Sequence, residues 1–420
     1  MARIAPERRT RLDLVITAVV VVAVLIVALV LWLTSPARNT DLSTASSDPE
    51  APLPTESLPD AFVELWRAPS PATEVPSVGR ATIMTGDGGT VRGLDPETGA
   101  ELWHYRRDLP LCAAVAAWPG GENSALAVYR TGRGCSDVTA LDADTGRRRA
   151  NRTGDADAEI TLSYDRTFAL AAGETRLETW GTNLVRGIEY GRVDAPVNPG
   201  VAPTRSACVL FSAASGGDRV AVIERCARDA GYRLSVFSAT LDNDEKIREW
   251  GSKLITESTT GPAPVVVSTT GSTVAVYDGG ADPGSSRREP TIRIFDTGAQ
   301  QSSVHTVAGD VGAPAGSRPL TSSNLTTYWT GKSTVVLDAV TGSPTVQITD
   351  TIGPGEVASA LLIPVVGAIS VRDPATGHEL RRIPVDRGGY TGMVSLRTLG
   401  PYVVEQRGDE IVVLGPPRVG

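Results

Sequence analysis

The chain has 420 residues, a formal net charge of −8, 43 Gly and 29 Pro, and aromatics at only 5%. That acidic balance argues against a nucleic-acid partner, which needs a basic face. With three histidines in all, His104, His305 and His378, a histidine-built metal or acid–base centre lacks its ligands.

Residues 1–13 hold Arg3, Arg8, Arg9 and Arg11 against Glu7 and Asp13. Residues 14–33 then run without a charge, with Thr17 as the polar interruption and Trp32 at the far end. As a helix this run is about 30 Å long, the thickness of a bilayer's hydrocarbon core. The expectation is a transmembrane helix over 14–34. The basic tail 1–13 stays in the cytoplasm and everything beyond the helix is extracytoplasmic. The competing reading is a cleaved signal peptide, with Ser35-Pro36-Ala37 as the small-residue site. The apolar run exceeds the 7–15 residues of a signal-peptide core, which favours an uncleaved single-pass signal anchor. Residues 35–60 are rich in Ser, Thr, Pro, Asp and Glu. Such a stretch buries too little to offset its chain entropy and reads as a flexible linker.

From residue 61 onward a hairpin repeats. The phrase Asp-x-x-Thr-Gly occurs at Asp95–Gly99, Asp142–Gly146, Asp338–Gly342 and Asp373–Gly377, each time after a short alternating run. Asp opens a tight turn by accepting backbone N–H bonds, and Pro96 and Pro374 preset φ for it. The closing Gly takes the left-handed conformation. Worn copies stand at 291–298, 233–250 and 176–181. The C-terminal runs 402–406 and 410–414 lack a partner strand, and the stretch Ala61-Phe62-Val63-Glu64-Leu65-Trp66-Arg67 has no repeat in front of it. This complementarity predicts a ring whose first strand completes its last sheet. Dividing 61–420 by eight gives about 45 residues per unit, the size of a four-stranded propeller blade. The expected fold is therefore all-β, an eight-bladed β-propeller over 61–420. Seven blades is the alternative, because the 176–250 region is uneven.

Four cysteines, Cys112, Cys135, Cys208 and Cys226, all lie in this domain. The starts and ends of successive antiparallel strands make 112–135 and 208–226 the natural pairs, in keeping with an oxidising compartment. The alternative is four buried thiols.

The pattern Leu-Asp-x-x-Thr-Gly-x-x-Leu-Trp, intact from Leu94 to Trp103, resembles the repeat of pyrroloquinoline-quinone-like β-propellers. The likeness is to the cofactor-free, BamB-like branch rather than to the quinoprotein dehydrogenases. The resemblance implies eight blades, with Trp66, Trp103 and Trp250 docking between neighbouring sheets. A quinone enzyme would also imply an adjacent-cysteine ring and a calcium cage, and no Cys-Cys pair occurs. The Asp-rich turns 142–144 and 242–244 offer oxygens for Ca²⁺, but they fall where Asp serves the hairpin. Glu356 and Asp386 are exposed-loop candidates for carboxylate chemistry. No Gly-x-Ser-x-Gly elbow or Walker loop is present. The expectation is thus no catalytic, cofactor or metal residue. The functional reading is a non-enzymatic protein-binding scaffold of the bacterial cell envelope, held to the cell membrane by one helix, with envelope proteins as partners. A quinoprotein or glycan-acting enzyme and a ligand sensor are the alternatives.

Overall fold

The computed structural model describes residues 10–33, 36–54, 58–193, 205, 207–256, 261–280, 289–312, 314–322 and 324–417. Arg3, Arg8, Arg9 and Ser35 lie outside them. A 23-residue helix, Arg11–Leu33, comes first. Thr10 starts it: the Thr10 N–H donates to Asp13 Oδ2 (2.7 Å) and the Asp13 N–H to Thr10 Oγ1 (3.2 Å), a reciprocal cap. At 1.5 Å per residue the helix is about 35 Å long, and it is apolar enough to cross a membrane.

The strands form eight antiparallel sheets, seven of four strands and one of five, so the protein is an eight-bladed β-propeller. Arg176–Trp180 and Arg233–Leu241 belong to separate sheets, which settles the count against seven. First strands of neighbouring blades, such as Leu111–Ala117 and Thr161–Tyr164, touch one another around the central axis. The fourth strands form the rim. Blades 1 to 7 span residues 77–107, 111–153, 161–191, 209–254, 265–306, 320–349 and 356–384. Blade 8 joins the two ends of the chain: Val394–Leu399, Tyr402–Arg407 and Glu410–Gly415 are completed by Val63–Pro69. Trp66 stands opposite Val413 and Arg67 opposite Val412, with Leu65 in a bulge.

The cores lie between blades. Met84, Val91, Trp103 and Tyr105 of blade 1 pack on Ala114, Ala125, Ala127, Tyr129 and Leu141 of blade 2. Phe62 joins the layer of blades 7 and 8 with Leu362, Ile369, Leu396 and Leu414. Both surfaces of each sheet are covered, which explains why strands such as Ser124–Thr131 are buried almost throughout rather than alternating.

The repeated turns are alike in detail. Asp95 Oδ1 accepts the N–H groups of Glu97 and Thr98 and the Thr98 hydroxyl at 2.8–3.1 Å. Asp142, Asp338 and Asp373 do the same for their own turns. Gly99, Gly146, Gly342 and Gly377 close them at φ of 69–72°. In the worn copies Glu245 and Ala299 hold the left-handed position, at φ of 59° and 58°. Cys112 is bonded to Cys135 and Cys208 to Cys226.

Part of the stretch 35–60 departs from a flexible linker. Thr40–Ser43 forms a fifth strand on the rim of blade 1, paired with Glu101–Arg107. Further along, the Ala45 N–H donates to Thr145 O (3.0 Å), and Arg381 bonds Asp60 (2.9 Å) and the Leu58 carbonyl. The segment is polar enough to stay solvated, yet the open edge of blade 1 supplies unpaired backbone groups that it satisfies.

Candidate functional site

Antiparallel alternation gives the ring two faces. The turns joining first to second and third to fourth strands, including every Asp-x-x-Thr-Gly, lie on one side, the turn face. The turns joining second to third strands and the links between blades lie on the other, the loop face. Function in such a ring resides in these faces, the channel and the rim.

Two indoles lock blade to blade across the turn face. Trp66 Nε1 donates to Pro96 O (3.0 Å) and Trp103 Nε1 to Ala143 O (2.9 Å), each the residue after the Asp of the next blade's turn. Each indole lies on that turn's glycine: a Cβ added at Gly99 or Gly146 would come within 2.8 Å of Trp66 or Trp103. Trp250 does not repeat the arrangement. Trp103 stands opposite Gly93 in register, but the corresponding partner of Val236 is Gly251, and Trp250 falls in the bulge. One residue of slip moves its indole off the next turn's glycine, though it still packs on the core layer shared by blades 4 and 5. Its indole donates to Ser238 Oγ of its own blade (3.0 Å) and sits between Arg219 and Arg248, 3.9 and 3.7 Å from the ring centroid. A Cβ at Gly251 would meet the Gly298 backbone at 2.2 Å, so backbone contact replaces the indole there.

Two ion pairs that sequence reasoning missed join blades at their inner, first-strand ends. At the loop face Arg318, in the link from blade 5 to blade 6, binds Glu74, in the link from blade 8 to blade 1. The contacts are Nε–Oε2 2.7 Å and Nη2–Oε1 3.0 Å. That hydrogen-bonded pairing with Glu74 pushes Arg318 above its ordinary pKa. Its side chain still keeps 39% of its surface in solvent. Deeper in, Arg397 of blade 8 reaches Glu356 of blade 7 (3.0 Å) and Thr321 O of blade 6 (3.4 Å). Glu356 is therefore not an exposed loop carboxylate. It is a buried residue of a first strand, and it also accepts from the Thr398 N–H and hydroxyl. Asp386 is exposed and accepts the Gly388 N–H (2.9 Å).

Other charges are consumed by packing. Glu405, fully buried, lies between Arg387 (2.7 Å) and Arg407 (2.8 Å), and Arg387 also donates to Val365 O and Ala368 O of blade 7. Glu178 and Glu189 are met by Arg152, Arg176 and Arg186. A cavity of about 20 Å³ beside Arg152, Arg176 and Glu178 has room for one water. In the turn weighed for calcium, Asp144 accepts the Ala81 N–H (2.8 Å) and the Asn123 amide (2.7 Å), tying blade 1 to blade 2. Burial raises its pKa. Among the described residues the ligand-type group Cys208, Glu224 and Cys226 comes together, but both sulfurs are in the disulfide and Glu224 accepts from Tyr190 and Ser235. His104 meets Glu101 (2.6 Å) and Asp41 (3.4 Å), while His305 meets Ser303 (3.0 Å). The His378 N–H donates to Thr376 Oγ1 (3.2 Å).

The class defined by this geometry is an eight-bladed propeller with an interlocked turn face and ion pairs joining blades at their inner ends. Among solved structures, the chain is similar to the computationally designed Ika8 protein. The TM-score is 0.54 at 15% identity, over 85% of this chain and 99% of that one. It also aligns with BamB from Moraxella catarrhalis, at TM-score 0.47 and 12% identity, over 86% of this chain and 99% of that one. The first likeness shows the fold alone. No protein-family model matches the chain, and no curated protein matches it in sequence.

Proposed function

We propose that the protein is a membrane-anchored, extracytoplasmic, non-enzymatic scaffold that binds proteins of the bacterial cell envelope. The observation that carries this reading is the order of parts: one long apolar helix directly before a rigid ring stapled by two disulfides. Disulfides persist in oxidising compartments, which supports a ring on the outer side and a basic tail on the inner. The described carboxylates at the inner ends of the blades and in the turns are engaged by guanidinium, hydroxyl and backbone donors. That supports a rigid recognition surface rather than a reacting site.

The test has two parts. The protein should remain in the membrane pellet after alkaline carbonate extraction, with its ring open to protease from the outer side only. In-vivo crosslinking followed by affinity recovery should return the same envelope protein in replicate preparations. Release by carbonate removes the anchor. An anchored protein that repeatedly returns no partner, or that turns over a substrate, removes the scaffold.

A further inference from the structure

The path of the chain between helix and ring shows which side of the propeller the anchor holds. Thr40 pairs with Arg107 and Ser43 with His104, so Thr40–Ser43 runs antiparallel to the fourth strand of blade 1. That fourth strand begins at the Asp95–Gly99 turn, on the turn face. It ends at Arg107, beside the link Asp108-Leu109-Pro110 on the loop face. The incoming segment therefore arrives from the loop face, where Asn39 O accepts the Asp108 N–H (3.3 Å). It departs at the turn face, where Ala45 is bonded to Thr145 and Pro52 lies against Gly400.

The leash is short. Six peptide steps separate Leu33, the end of the helix, from Asn39, the first residue held by the ring. Fully extended they span at most roughly 20 Å. The 3₁₀ turn Pro36–Asn39 shortens that reach, and Arg38 lies over the Trp32 ring, 4.5 Å from its centroid. A headgroup layer is about 5–7 Å thick. The corner at Asp108–Pro110 is thus tied within a few headgroup thicknesses of the hydrocarbon.

The surface at that corner has matching chemistry. The Arg130 N–H donates to Pro110 O (2.9 Å), which places the exposed turn 130–134 of blade 2 beside the link. Arg130 and Arg133 are exposed there beside the exposed Asp108 of the link; among the described residues neither arginine is within ion-pair distance of a carboxylate, though the charge of Arg133 is felt by Asp155. A guanidinium matches the planar fork of phosphate oxygens. Resting on the anchoring reading, we propose that the loop-face corner of blades 1 and 2 seats on the phospholipid headgroup layer through Arg130 and Arg133. The propeller then stands with its loop face toward the bilayer and its turn face away.

The test uses the full chain reconstituted into vesicles of phosphatidylglycerol and phosphatidylcholine. Gly132→Cys (loop face) and Gly120→Cys (turn face of the same blade) each receive a fluorophore. Both positions have open space around an added Cβ, and the native cysteines are engaged in disulfides. With spin-labelled headgroups, quenching at position 132 should exceed that at 120 at least twofold. Replacing each of Thr40, Asp41, Leu42 and Ser43 by Pro removes the backbone donors of the pairing strand, frees the leash and should abolish the difference. Arg130→Ser with Arg133→Ser should reduce it. Equal quenching at both positions in vesicles that carry the protein overturns the orientation alone, as does a difference that survives the freed leash. Protein that fails to float with the vesicles overturns the anchor reading, and this inference with it.

Discussion

The interlock between indole and turn glycine makes a quantitative prediction, because the same turn occurs with and without the indole. Gly146 and Gly342 have nearly identical backbones, φ of 72° and 70°. An Ala in that left-handed conformation costs roughly 1–2 kcal/mol, offset by roughly 0.4–1 kcal/mol from a stiffer unfolded chain. At Gly342 the added Cβ meets nothing closer than Thr273 Oγ1 at 3.2 Å, so Gly342→Ala should cost about 1 kcal/mol. At Gly146 it lands 2.8 Å from Trp103 Cβ and Cγ. That indole cannot retreat: it is fully buried, donates to Ala143 O, and lies across Gly93. Overpacking of this kind adds roughly 1–3 kcal/mol, so Gly146→Ala should cost about 2–4 kcal/mol in all. Urea unfolding, followed by far-ultraviolet circular dichroism, measures both variants. In a Trp103→Ala background, which removes Cγ and the ring, the cost of Gly146→Ala should fall toward that of Gly342→Ala, the signature of a coupled pair. Equal losses at the two glycines in the parent protein, or no coupling to Trp103, would refute the interlock.

Four further outcomes follow from the same structure. Glu405→Gln leaves Arg387 and Arg407 buried without their carboxylate. It should cost about 3–5 kcal/mol, read as a Tm lower by roughly 4–7 °C in a domain of this size. Backbone and hydroxyl donation from Thr341 and Thr376 holds Asp338 and Asp373 below their ordinary value of 3.8. Their stabilisation is present above that value and is lost as pH falls through the lower folded-state pKa. Asp338→Asn should therefore melt below the parent at pH 7, and that gap should narrow by pH 3 in calorimetry. Replacing Cys112 and Cys135 together by Ala should cost about 3 kcal/mol by the loop-entropy relation, and reductant should lower the parent's urea midpoint but leave that of a variant lacking all four cysteines unchanged. Titration with pyrroloquinoline quinone and Ca²⁺ should produce no thermal shift, and a saturable shift would reopen quinone chemistry.

How much of this could be read from the residues depended on range. The Asp-x-x-Thr-Gly turns are local, and their hydrogen bonds form within five residues, so the hairpins were visible at once. Closure was legible too, because Leu65-Trp66 and Leu102-Trp103 share a bulge followed by a docking indole. Trp250 packs on the layer between blades 4 and 5 without the indole–carbonyl bond of Trp66 and Trp103, because a bulge shifted by one position leaves composition unchanged while moving the indole off the next turn. Thr40–Ser43 carries no apolar alternation, and its pairing is set by the vacant edge it meets. The Arg318–Glu74 and Arg397–Glu356 pairs join residues far apart in the chain, and only the ring's curvature brings them together.

The joining of Val63–Pro69 to Glu410–Gly415 also sets a timetable. Val63–Pro69 waits for a strand made about 340 residues later, so the ring cannot close until Glu410–Gly415 has been made. Until that strand arrives, the emerging blades present raw edges and an unstapled seam. Ending the chain after Glu410 would leave every other blade intact in sequence but the circle permanently unlatched.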